Sequence, residues 1–399
     1  MRSMHPLASM AVAVILTGAC ATSGRAFETR SARLSTGVTL RYVEAGDPDG
    51  APVVFLHGFT DTSRSFLQTM QALVASHSGL RLFALDARGH GGSSMPEEAG
   101  CASAPERCFE FADFAADVIA FMDHARLGRA HVVGHSMGSA TAQELALSHP
   151  DRLLSLVLIA SFASGLDNPV FHGFLKADTI EGAWKSALVR RSGFRWPEDA
   201  YNLTPLDADP GVESWNARNW VVDPVADPEL IDAVNPETAH TRLGTWIGTI
   251  RNLAAVDNRD RLTRLTVPTL VIWATQDNVF LDQPDQARLR ASLDTAASAC
   301  RTSYLFKTYG KRPLPASGQQ EDDLGHNVQW GAPEAVAADI AAFIETGRPT
   351  ADLPYADPND VRRVRIERGG ARIEGSNGCA TPRWRDGRLD ARLPPKEAS

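Results

Sequence analysis

The chain has 399 residues, 43% hydrophobic and 22% charged, enough to bury a full core in one large domain with an inserted subdomain. Its formal net charge of −8 and pI near 5.8 exclude a general nucleic-acid binder, which needs a concentrated basic face for phosphate. No internal repeat is present.

Arg2, the apolar run Ala8 to Gly18 and then Ala19-Cys20-Ala21 read as an export leader over residues 1–25, because the run is shorter than the roughly 20 residues of a membrane-spanning helix. Two cleavage readings stay open. Ala19-Cys20-Ala21 fits a small-x-small peptidase site, while Leu16-Thr17-Gly18-Ala19-Cys20 resembles a bacterial lipoprotein box with Thr17 where Leu is usual. The expected location is therefore outside the cytoplasm: periplasmic, secreted, or anchored to a membrane through a lipidated Cys20. With Cys20 removed or lipidated, Cys101, Cys108, Cys300 and Cys379 remain, an even set suited to an oxidising compartment. Cys101 with Cys108 and Cys300 with Cys379 is the expected pairing; the first closes a small loop worth roughly 2 to 3 kcal/mol.

Past the leader, Arg33-Leu34-Ser35 and Thr39 to Val43 read as two strands joined at Thr36-Gly37. Short apolar runs follow at Pro52 to Leu56, Leu80 to Leu85, Val132-Val133, Leu154 to Ile159 and Thr269 to Trp273, of the kind buried on both faces of a parallel sheet. Helical spacing appears at Ser65 to Ser76, Phe111 to Ala125, Ala140 to Ser148 and Pro333 to Thr346. This β-α alternation predicts an α/β class, a mostly parallel doubly wound sheet. It stops between Ser161 and about Leu262, where five of the eight tryptophans gather: Trp184, Trp196, Trp215, Trp220 and Trp246. The expected organisation is a core at 26–162 and 263–347, a helical cap at 163–262 and an extension at 348–399. Trp184, Trp215 and Trp246 are the candidate cap residues for lining a pocket for an apolar or aromatic substrate, alongside packing of the cap itself. In the extension, ten Lys or Arg face five Asp or Glu after position 361. There Val364 to Glu374 reads as a solvated edge hairpin turning at Gly369-Gly370.

Gly134-His135-Ser136-Met137-Gly138 lies between a β-type run and a helical pattern. Glycines on either side let the chain reverse sharply and hold Ser136 in a strained geometry with its hydroxyl presented as a nucleophile. Three further segments keep a fixed order around it: His57-Gly58-Phe59 after the third strand, Asp86-Ala87-Arg88-Gly89-His90-Gly91 after the fourth, and Leu324-Gly325-His326 near the end. Over about Arg33 to Gly347, with these four motifs, the chain resembles the α/β-hydrolase superfamily of serine esterases and lactonases with a helical cap.

The resemblance implies the α/β-hydrolase fold and a catalytic Ser136, Asp277 and His326. A serine hydroxyl needs a base, and His326 is the only histidine after His240. The acid is expected at the end of the strand after the cap, which is Asp277 in Val271-Ile272-Trp273-Ala274-Thr275-Gln276-Asp277. The backbone N–H groups of Phe59 and Met137 would form the oxyanion hole, and Phe59 would also wall the substrate pocket. His57, His90 and His135 come as turn and packing residues, so the resemblance implies no metal and no cofactor. Two inserts depart from the pattern: Met95 to Arg107, which would line the pocket entrance, and a longer segment between Asp277 and His326 that includes Gly310 to Asp323. The expected activity is hydrolysis of a small-molecule apolar or aromatic ester or lactone through an acyl-enzyme. Its alternatives are a C–C bond hydrolase, an amidase or aminopeptidase, a cofactor-free perhydrolase, or a ligand-binding sensor on the same fold. Haloalkane dehalogenase and epoxide hydrolase are disfavoured, because their relatives place Asp where this chain has Ser136.

Overall fold

The computed structural model describes residues 27–175, 179–219, 226–310, 324–351, 371–376, 384–385 and 388–389. The leader, Cys20, Trp220, Cys379, the first arm of the expected hairpin and the segment 311–323 lie outside the described residues.

In chain order, the first half of the core runs β1 (Glu28–Arg33), β2 (Thr39–Gly46), β3 (Ala51–Leu56), α1 (Leu67–Ser76), β4 (Leu80–Leu85), α2 (Phe111–His124), β5 (Ala130–His135), α3 (Met137–Ser148) and β6 (Leu153–Ile159). The cap follows as α4 (Pro169–Leu175), α5 (Lys185–Leu188), α6 (Val212–Asn219), α7 (Pro228–His240), α8 (Leu243–Ala255) and α9 (Arg259–Leu262). The core then resumes with β7 (Thr269–Ala274), α10 (Ala287–Ser298), β8 (Tyr304–Tyr309), α11 (Val328–Gly331), α12 (Pro333–Thr346) and β9 (Ala371–Ser376). Among the described residues, nine strands form one sheet in the order β1-β2-β4-β3-β5-β6-β7-β8-β9. It is antiparallel across β1, β2 and β4, parallel from β4 to β8, and antiparallel again where β9 joins β8.

The central strands alternate their apolar side chains between two cores. Val54, Leu56, Val132, Leu156 and Val271 face one side with Phe121, Leu145 and Leu293, while Val53, Phe55, Val133, Val157 and Ile272 face the other with Met70, Val336 and Ile340. Burial on both faces is what a parallel sheet covered by helices requires.

Two strands go beyond the sequence reading. β8 carries Lys307, fully buried, whose ammonium donates to Asp339 of α12 at 2.7 Å and to the Thr350 carbonyl at 2.9 Å. Tyr309 also donates its hydroxyl to Asp339. Pairing makes an interior ammonium tolerable, so a lysine in the middle of the run does not break the strand. The second is β9, expected as the return arm of a solvated hairpin. It pairs with β8 from Tyr304 opposite Ser376 to Tyr309 opposite Ala371, and so covers the edge of β8.

The Cys101–Cys108 bond is present, and Cys300 is also disulfide-bonded. The insert that holds the first bridge braces the cap, and, among the described residues, none of its side chains lines the cavity beside Ser136. Arg251 of α8 bonds Glu106 at 2.8 Å, and Asn252 Nδ2 donates to the Glu106 and Phe109 carbonyls. Among the described residues, no helix is long and apolar enough to cross a membrane.

Candidate active site

β5 ends at His135 and α3 begins at Met137, so Ser136 takes the whole reversal, with φ +52° and ψ −115°. A side chain with a Cβ pays for such geometry and holds it only where the surroundings enforce it. Here they do: a Cβ at Gly138 would meet the Leu56 carbonyl oxygen at 2.1 Å, and one at Gly134 would meet the Gly138 carbonyl oxygen at 2.3 Å. Only glycine lets α3 enter so close beneath β3 and β5.

A second alignment is set by backbone pairing. Gln276 and Gly325 form a parallel bridge, with the Gln276 N–H donating to the Leu324 carbonyl at 3.0 Å. The residues one step on, Asp277 and His326, therefore emerge side by side. His326 Nδ1 lies 3.0 Å from Asp277 Oδ1, and His326 Nε2 lies 3.0 Å from Ser136 Oγ. Asp277 Oδ1 also accepts the Val279 and Phe280 N–H groups at 2.9 Å each, which fixes the carboxylate plane. Since a carboxylate only accepts, His326 carries its proton on Nδ1 and offers the Nε2 lone pair to the serine hydroxyl. Three residues drawn from three places in the chain thus form one hydrogen-bonded line. Met137 opens α3, whose first N–H groups have no intrahelical acceptor.

The cavity beside Ser136 holds about 150 Å³, below the several hundred Å³ of drug-sized sites. Phe59, Phe171, Phe174 and Trp330 supply its aromatic wall, with Asn278 and Asn327 at its polar side. A larger open groove of about 670 Å³ runs between Arg41, Gly91 and the cap residues Glu237 and Arg242, but contains none of the three aligned residues. Of the four side chains expected to bind substrate, Phe59 lines the cavity; Trp184, Trp215 and Trp246 do not. Trp246 is fully buried and stacks edge-on with Trp184 at 5.2 Å and with Phe59 at 5.0 Å, and Trp215 packs on Phe174 at 6.0 Å. These tryptophans hold the cap's own core and support the residues that reach the cavity. Phe171 and Phe174, spaced three apart on α4, carry the wall instead; helical spacing could have found them, once α4 was known to face the site.

His57, His90 and His135 are fixed by backbone. The Ala87 N–H donates to His57 Nε2 at 2.9 Å, His90 Nδ1 bonds the Arg88 carbonyl at 2.9 Å, and His135 Nε2 bonds the His326 carbonyl at 3.1 Å. Burial pulls His57 below the ordinary imidazole range, His90 to about 3 and His135 well below it, so all three are neutral near pH 7.

Asp61, five residues into the β3 turn, was not singled out in the sequence, although it stands two residues after Phe59. It is 5% exposed and lines the same cavity. Burial pushes its carboxyl up to about 7, with the nearby Glu237 charge adding to the rise and His326 opposing it. An unfolded Asp releases its proton near pH 4, so the folded chain holds this proton more tightly and loses stability as pH rises from about 4 to about 7. Asp61→Asn has no such proton to lose. Calorimetry should show the melting temperature of the variant, relative to the parent, rising by about 2 °C or more between pH 4 and pH 8; a difference that does not change with pH would sink this account.

The family model described as alpha/beta hydrolase fold matches residues 51–293. Over 244 residues the chain is 28% identical to 3-oxoadipate enol-lactonase 2 of Acinetobacter baylyi, covering 61% of this chain and 77% of that protein. Over 143 residues it is 34% identical to the dihydrolipoyllysine-residue acetyltransferase component of the acetoin cleaving system of Pseudomonas putida, spanning 35% of each. The match thus spans about a third of the length of that relative. Epoxide hydrolase A from Mycobacterium thermoresistibile superposes with a TM-score of 0.55 at 22% identity, covering 80% of this chain and 99% of that one. A strand-to-helix turn at Ser136, a sheet crossed by a cap, and a family model matching more than half of the residues make this chain a member of the α/β hydrolase fold family.

Proposed function

We propose that the chain is a serine hydrolase that cleaves a small carboxylic ester or lactone through an acyl-enzyme on Ser136. The observation that carries this reading is the line Ser136 Oγ to His326 Nε2 to Asp277 Oδ1, 3.0 Å at each step, opening onto a small aromatic cavity. In attack, the Ser136 hydroxyl adds to the ester carbonyl as its proton passes to His326 Nε2. The anionic oxygen is met by the N–H groups of Phe59 and Met137, and each such donor is worth about 10²- to 10³-fold in rate. His326 then returns the proton to the leaving alkoxide oxygen, which departs as an alcohol, or stays tethered in a lactone. Water, deprotonated by the same imidazole, releases the acid and restores Ser136.

The likeness to an enol-lactonase supports a lactone among the substrates. The likeness to an epoxide hydrolase carries the fold alone, and Ser136 stands where such enzymes use an aspartate nucleophile. An exported chain, with Cys20 as its leader boundary or lipid attachment point, belongs to the same proposal; the Cys101–Cys108 bond supports it.

Phenylmethylsulfonyl fluoride tests the reading. The reagent should add to the Ser136 peptide in mass mapping while hydrolysis of p-nitrophenyl acetate and of a small lactone falls in step with labelling. Activity that persists with Ser136 fully labelled would end the proposal, and a panel that also holds an anilide, a β-diketone and hydrogen peroxide with acetate ranks the other chemistries of this fold.

A further inference from the structure

The Ser136 cavity combines one buried carboxyl group with four aromatic rings and, among the described residues, no lysine or arginine in its lining. Among the described residues, Asp61 is the only carboxyl group in that lining. Its Oδ2 accepts the Ser65 hydroxyl at 3.3 Å, and Ser65 is itself held by Trp330 Nε1 at 2.8 Å and Gln329 Nε2 at 3.3 Å. Among the described residues, no lysine or arginine offsets its burial. Arg64, in the adjoining turn, is committed to Glu237 at 2.8 Å. His135 offers no proton either: its Nε2 faces the His326 carbonyl at 3.1 Å, an acceptor, so the neutral ring turns a lone pair on Nδ1 toward Asp61 Oδ2 at 3.8 Å. The Ser65 hydroxyl and the Gly58 backbone favour the charged form without offsetting its burial, so this carboxylate is stable mainly when it is protonated or when a cation arrives from outside the chain.

We infer that Asp61 and the rings of Phe59, Phe171, Phe174 and Trp330 form a subsite for an organic cation, so that the preferred substrate is an ester or lactone carrying an ammonium group close to the scissile carbonyl. This rests on the reading of the Ser136 cavity as the substrate site. The rings attract a cation through their negative faces, and Asp61 supplies the full charge. An acyl chain ending in a carboxylate meets no counter-charge there and is disfavoured. In the free protein Asp61 holds a proton up to about pH 7; binding an ammonium group releases that proton to solvent, so cation affinity rises with pH across this range. The charged and titrating groups that face Asp61 are His326 and His135 from the sheet side, and Glu237 of α7 from the cap.

The test uses the full chain carrying Ser136→Ala, which cannot turn over an ester, and two probes of equal shape: choline and its uncharged carbon analogue 3,3-dimethylbutan-1-ol. Calorimetric titration at pH 8 should find choline bound about ten-fold or more tightly than the alcohol, and adding Asp61→Asn should remove most of that preference. The preference of the Ser136→Ala chain should also grow between about pH 5.5 and pH 8.5, a measurement that needs no second substitution. Absence of choline binding, equal binding of the two probes, or a preference that survives Asp61→Asn overturns the inference. Failure of Ser136 to label or of esters to turn over would remove the hydrolase reading instead, and leaves these titrations to be judged on their own.

Discussion

Ser136→Ala and His326→Ala should each lower kcat for a p-nitrophenyl ester by about 10⁵- to 10⁶-fold, and the double variant should be no worse than either single one. The reason lies in the geometry. Ser136 Oγ and His326 Nε2 are 3.0 Å apart, so hydroxyl and imidazole act as one proton-transfer unit, and half a unit has nothing to activate or nothing to do the activating. Among the described residues, no other group near Ser136 is placed to take over as base. His135 is buried, neutral and bound through Nε2 to the His326 carbonyl, and Asp61, which lines the same cavity, is tied to the Ser65 hydroxyl at 3.3 Å. Residual hydrolysis above the buffer rate is expected from binding and the oxyanion donors alone. Stopped-flow and steady-state rates on purified variants decide it. Losses that multiply in the double variant would mean that the two residues act in separate steps and that the line of hydrogen bonds is not a relay.

The parts of this molecule legible in the sequence are those fixed by local backbone demand. Gly134 and Gly138 are required by contacts of a missing Cβ with backbone at 2.3 and 2.1 Å, and such a demand leaves its mark as a motif. The same holds for β7 running into Asp277, because a buried apolar strand ends where the carboxylate must stand. His326 was legible for a different reason, as the one histidine after His240. What escaped was set by partners distant in sequence. β8 hid behind Lys307, whose burial makes sense only with Asp339 beside it, 32 residues on. β9 reads as the second arm of a local hairpin, and its pairing with β8 is invisible without the sheet. The described cap tryptophans all pack the cap and none lines the pocket, a choice made by helix orientation, which aromatic density does not encode. Asp61 sits beside an already informative His57-Gly58-Phe59, yet its chemistry depends on Trp330 and Gln329 holding Ser65 from more than 260 residues away.

Asp277→Ala should cost about 10⁴-fold in kcat, whereas Asp277→Asn should cost only about 10²- to 10³-fold. In a triad where the histidine and the backbone bond different oxygens of the acid, an amide can turn its nitrogen toward the histidine and force the wrong tautomer. This chain differs, because His326 Nδ1 at 3.0 Å and the N–H groups of Val279 and Phe280 at 2.9 Å all converge on one oxygen, Asp277 Oδ1. Two backbone donors can be met only by an oxygen, so the asparagine carbonyl is held at that place and still accepts the His326 proton. Its NH₂ group falls where Oδ2 lies, buried and without a hydrogen-bond partner among the described residues, which costs about 1 to 3 kcal/mol of stability. The loss in rate is then mainly the loss of the negative charge that steadies the imidazolium during attack. Alanine removes charge, oxygen and orientation together. Measured kcat values for the two variants, with melting temperatures to confirm that both are folded, separate the contributions. Equal losses for Asn and Ala would show that the amide does not keep its oxygen under Val279 and Phe280, and that the acid works here through tautomer control after all.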